Sequence, residues 1–342
     1  MLLTPRTMMG IDSLSAGPSS LSPSQLSTPD ARPLVKKGKG VGKPWADGPW
    51  PLIETPSRTQ RLTNAALHIA NELAHAHNAM LRGLNAIYLQ APFVGAPGDV
   101  ADFLFLTQAW SAWVLDYHVL KESAMIPGFE AVLRLEPGRL RAPTWNSSDD
   151  GEDRSIENGK GKEAEDLAFL LQHIHGYAAS TLAQPASYSA STLQPLLLAL
   201  ASSLVPHLHN QITLLARMQD LCSPSASASS SPPSSPSSSS SLSLSMAAAD
   251  EAAARANKLT QMHLSCESAL ADRMDRFVVP PMVVRLRDAT YEGGAGGAWP
   301  RLSVPALHAV ADRLSPRNAG AWRFLPCDVW GRPRELGFLG EK

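Results

Sequence analysis

LTNAALHIANELAHAHNAMLRGLNAIYLQ, residues 62–90, places Leu62, Ala66, Ile69, Leu73, Ala76, Met80, Leu84 and Ile87 at steps of three and four. That recurrence predicts a helix with one face turned to a core. Ser57 or Thr59 is placed to cap its start, and Pro92 and Pro97 to end it.

The same reading extends outward. A second helix is expected over about 100–125, with Asp99 as its N-cap, Phe103, Leu106, Trp110, Trp113 and Leu120 as its apolar face, and Pro127-Gly128 as its stop. A third runs from Glu163 to Ala183 on Leu167, Leu170, Leu171 and Ile174, and Pro185 breaks it. A fourth spans about Ser191 to Gln219, with Pro206 expected to kink it. A further helix follows from Ala247 to about Phe277. No segment shows strand alternation of any length. Four helices with mostly short connections predict an all-α fold, an up-down four-helix bundle over residues 61–221. Residues 247–342 supply the extra C-terminal helix and an irregular tail rich in aromatics and Pro, expected to dock on the bundle.

Three stretches lack the composition of a core. Residues 1–60 are rich in Ser, Pro, Gly and Thr, residues 222–246 are a Ser/Pro-rich linker, and residues 144–163 are a polar, acidic loop insertion. The first two are expected to be disordered or linker, and the third a long loop. The net charge is −1, with no basic stripe, which argues against nucleic acid as a partner. Lys36, Lys37, Lys39 and Lys43 read as a solvated cluster in the N-terminal segment. No apolar run approaches the roughly 20 residues that span a bilayer, and the N-terminus lacks an apolar signal core. Cys222, Cys266 and Cys327 are widely spaced, so a reducing, cytoplasmic setting is expected and a zinc ribbon is not.

The chemistry-bearing residues lie on the helices. His118 and Glu122 are four apart, on one helical face, and a neutral imidazole and a carboxylate so placed can ligate one metal. Each predicted bundle helix carries a His: His77, His118, His173 and His175, then His207 and His209. One such residue per helix is a common way to build a metal site in a bundle. His68, His75, His263 and His308 read as incidental.

Residues 62–221 resemble the hemerythrin-type (HHE cation-binding) family, in its long fungal branch. The resemblance rests on Asn71-Glu72-Leu73 to His77-Asn78, Arg82-Gly83-Leu84-Asn85, Ile87 to Pro92, His118 to Glu122 with Pro127, and His207-Leu208 with Ile212. It extends to the tail through Tyr291-Glu292-Gly293-Gly294, Trp299-Pro300, and Trp322-Arg323-Phe324 to Leu336. It implies metal ligands at His77, His118, Glu122, the third-helix pair His173 and His175, and His207. It implies a non-haem di-iron centre, bridged by carboxylates, that binds oxygen or senses oxygen or iron. Two positions depart from the family pattern. His173 and His175 are two apart, not four, so they point about 200° apart and only one is expected to face the core. Gln211 stands four residues after His207, where a Glu is expected. These departures predict at most one iron per chain, and a binding protein rather than an enzyme. A metal-free scaffold of the same fold and, further off, a di-iron oxidase stay open as alternatives.

Overall fold

The computed structural model describes residues 46–141, 159–222 and 240–339, all within one unit that spans Pro44–Lys342. The N-terminal part of the expected disorder (1–45), most of the acidic insertion (142–158) and the centre of the Ser-rich linker (223–239) lie outside the described residues. Among the described residues every regular element is helical, apart from an isolated bridge between Cys327 and Pro333.

The order is α1 (Pro56–Thr59), α2 (Ala65–Gln90), α3 (Pro97–Leu120), α4 (Ile126–Leu133), α5 (Gly159–Ala183), α6 (Ala190–Cys222), α7 (Ser240–Arg273), α8 (Val279–Leu286) and α9 (Val304–Ala309). Helix α2 packs on α6, α3 on α5, and α5 on α6, while α7 lies against α2 and α4. Residues 159–163 and 240–246, expected in loop and linker, belong to α5 and α7.

Asn64, not Ser57 or Thr59, caps α2. Its side chain accepts the Leu67 N–H at 3.0 Å and satisfies a donor the helix leaves orphaned. Helix α3 starts two residues before Asp99, with Pro97 in its first turn, where a missing N–H costs nothing. Pro127-Gly128 does not end the second helix. A five-residue π turn, Lys121–Met125, joins α3 to α4, and its Ile126 N–H bonds back to the Lys121 carbonyl. The wider turn moves the preceding carbonyls and accommodates Pro127 within the first turn of α4.

Residues 46–60 do not stay outside the core. Ala46, Ile53 and Thr55 are buried. Three asparagines seven apart on α2 hold this segment. Asn71 accepts the Ser57 N–H at 3.0 Å. Asn78 accepts the Ile53 N–H at 2.7 Å and donates to the Ile53 carbonyl at 2.8 Å. Asn85 accepts the Trp50 N–H at 3.0 Å and donates to the carbonyls of Ala46 and Trp50. An extended chain laid on a helix has no ladder partner, and side-chain amides supply one here.

The tail packs on the helices. Trp322 and Phe324 are buried, and the Phe338 ring stacks on Phe324 at 4.3 Å. Gln90 donates to the Phe324 carbonyl at 2.8 Å, and Arg323 reaches both Asp99 and Asp102 at 2.8 Å. Arg82 on α2 ties Asp47 to the Leu286 carbonyl of α8, so the N-terminal segment and the tail share one anchor.

Candidate metal centre

The π turn and the last turn of α3 set one side of the site. His118 lies in the last turn of α3, and Lys121 and Glu122 open the π turn. Helix α6 supplies His207 and Gln211, one turn apart on the facing side. His118, Lys121, His207 and Gln211 are buried, and the Glu122 side chain keeps 13% exposure.

Among the described residues, one group of three could share an ion. Ligand atoms of His118, Glu122 and His207 all lie within 4.8 Å of one another. The rings of His118 and His207 meet edge-on at 5.2 Å. His207 Nε2 lies 3.7 Å from Glu122 Oε1 and 3.3 Å from Lys121 Nζ. An ammonium only donates, so the Nε2 it faces carries a lone pair. Burial, then the Lys121 charge, holds the His207 imidazole well below its ordinary value of 6.5, in its neutral ligand form. Burial also pulls the Lys121 ammonium down to about 8, against the Glu122 charge that supports it.

Glu122 has further partners. Gln211 Nε2 donates to its Oε1 at 3.3 Å, and Arg141 approaches Oε2 at 3.6 Å while bonding the Glu122 carbonyl at 3.2 Å. With its Nε2 so used, Gln211 leaves Oε1 buried and without a hydrogen-bond partner.

His77 stands beside the group of three rather than in it. Its Nδ1 lies 3.1 Å from the Leu208 carbonyl, which can only accept, so Nδ1 carries the proton. Nε2 is then a bare lone pair, fully buried and without a hydrogen-bond partner. Burial, with the Lys121 charge next, keeps this imidazole well below its ordinary value.

The third-helix histidines require a correction. Neither faces the core. His173 is exposed and meets the exposed Phe169 ring edge-on at 5.0 Å. His175 is half-buried, with Nε2 3.5 Å from Gln108 Nε2. Leu167, Leu171, Ile174 and Ala178 form the buried stripe of α5. Both histidines flank Ile174, about 100° to either side of the face it buries.

Sequence reasoning missed Lys121. It lies between the ligand-type pair His118 and Glu122, yet it is 1% exposed and among the largest fully buried side chains. A lysine next to that pair reads as surface, and no spacing rule marks it as core. His75 and His263 are not incidental either. Both are buried, and both feel the Glu72 charge, as does the carboxyl of Glu267, four residues after His263.

No family model matches the chain. No solved structure matches it. The chain is similar to the dimeric xanthone biosynthesis cluster protein R11 of Cryptosporiopsis sp. (strain 8999), at 24% identity over 302 residues, which cover 87% of this chain and 95% of that protein.

Proposed function

We propose that the chain is a hemerythrin-like four-helix bundle that holds a single metal ion, iron, at His118, Glu122 and His207. The convergence of those three ligand atoms within 4.8 Å carries the reading. The donor set fits the ion. Two imidazoles and one carboxylate with open positions suit non-haem iron(II). The buried Nε2 of His77 and Oε1 of Gln211, each without a hydrogen-bond partner, add acceptors of the kind a cation site supplies. Iron(II) in such a set keeps positions free for an outside ligand such as dioxygen. The residues' own part is to present neutral lone pairs and one anionic oxygen in a dry setting. A second ion has no support here. Gln211 offers no anionic bridge, and His173 and His175 lie away from the site.

Metal analysis after anaerobic reconstitution with iron(II) tests this. At most one ion per chain is expected, and none in His118→Ala or His207→Ala. Equal loading of the parent and both variants would sink the site.

A second reading, a metal-free scaffold of the same fold, is favoured by Lys121, whose ammonium already places a positive charge beside His207. The likeness to a xanthone biosynthesis cluster protein supports a role beside biosynthetic enzymes under either reading.

A further inference from the structure

A carboxylate oxygen and a lone-pair nitrogen repel each other. Glu122 Oε1 and His207 Nε2 nevertheless face one another at 3.7 Å in a largely dry setting. Such an approach needs a positive centre beside it. Arg141, 38% exposed, supplies one from the rim, 3.6 Å from Glu122 Oε2. Lys121 Nζ supplies the buried one, 3.3 Å from the same Nε2, on a side chain with 1% exposure.

We propose that Lys121 is the site's own resident cation, which a metal ion must displace to bind, so that Lys121 sets the affinity and makes the ion exchangeable. This inference rests on the metal-site reading above. The geometry leaves little room for both cations. A metal bonded to His207 Nε2 sits about 2.1 Å from it, so it lies no more than about 5.4 Å from an ammonium 3.3 Å from that same atom, even on its far side. A dication and an ammonium so close in a low-dielectric interior repel strongly. The long, flexible lysine stem can leave, whereas an arginine or a packed apolar side chain could not yield so readily. The arrangement also explains how a carboxylate and neutral imidazoles stay buried together when no ion is present. Lys121 faces the His207 lone pair and, with Arg141 at the rim, offsets the carboxylate's charge, and the ion replaces Lys121.

The test compares the parent chain with Lys121→Met, which keeps length and removes charge. Anaerobic calorimetric titration with iron(II) alone gives both affinities. Lys121→Met should bind at least about tenfold more tightly than the parent. Equal affinities would overturn the role of Lys121 while the metal site stands. No binding by either protein would overturn both. If Lys121→Met fails to fold, acetic anhydride labelling of the parent decides. Lys121 should be protected without iron(II) and acetylated once the ion is added, and labelling that ignores the ion would refute displacement.

Discussion

Asn78 makes with Ile53 the two hydrogen bonds that a neighbouring strand would make, one accepted from its N–H and one donated to its carbonyl. Both residues are buried. The Tyr291 hydroxyl also donates to the Ile53 carbonyl at 3.0 Å, so only the N–H depends wholly on Asn78. Asn78→Ala should therefore cost about 1–3 kcal/mol, the range for one stranded buried donor. Asn71→Ala, whose partner Ser57 is exposed, should cost less. Denaturant melts of the two variants check the ranking, and faster proteolysis near Ile53 should accompany the first.

Gly83 has no room for a side chain, because a Cβ there would overlap the indole of Trp110. That indole is fully buried, and its Nε1 donates to the Met80 carbonyl at 3.2 Å. Gly83→Ala gains roughly 1 kcal/mol of helix propensity and loses more to overpacking and the displaced indole. A net loss of about 1–3 kcal/mol is expected. A variant more stable than the parent would mean that α2 and α3 do not approach this closely.

Glu267 should make stability fall as pH rises. Burial pushes its carboxyl up to about 7, the neighbouring Glu72 charge adds to this, and the Tyr117 hydroxyl, 3.2 Å away, offsets part of it. Below its unfolded value both states are protonated and the contribution is intact. Between about pH 4.5 and 7 only the unfolded state ionises, so up to about 3 kcal/mol is lost. His263 has the opposite slope: burial lowers it to about 4, so its stability is lost as pH falls. The difference between the parent and Glu267→Gln isolates the carboxyl. The variant should gain on the parent across that window and stay ahead above pH 7, and parallel curves would contradict the assignment.

At the proposed metal site, His207→Ala should abolish ion binding, while His173→Ala and His175→Ala should leave it unchanged. Gln211→Glu should lower stability without an ion, since it sets a second carboxylate against Glu122, now 3.3 Å from the amide nitrogen. Adding iron(II) should then raise its Tm by more than that of the parent. Equal responses would show that position 211 does not reach the ion.

The helices were legible because Leu73, Met80, Leu84 and Ile87, or Leu193, Leu197 and Leu200, repeat at helical steps, and all of them are buried. What escaped was polar. Asn71, Asn78 and Asn85 repeat every seven residues, a stripe that reads as a wet face until a chain is laid upon it. Their partners, Trp50 and Ile53, stand in a Pro- and Gly-rich stretch whose composition alone cannot reveal borrowed hydrogen bonds. At the candidate site, the His118–Glu122 spacing placed two ligand-type residues on one face. The orientation of His173 and His175 was decided by Leu171 and Ile174 beside them, through apolar burial that favours neither imidazole. Pro127 misled because a proline signals a stop only where the helix keeps its ordinary pitch.

The π turn at Lys121–Met125 amounts to one residue more than the helix can hold at regular pitch. Each residue rotates a helix by about 100°, so the extra one sets α3 and α4 to different azimuths along one rod. Trp110 and Val114 point into the core before it, and Phe129 and Leu133 after it. Deleting a single residue within 121–125 would leave composition and helix length almost untouched. It would nonetheless turn the second half outward, and the phase of the rod would be lost along with Glu122's aim.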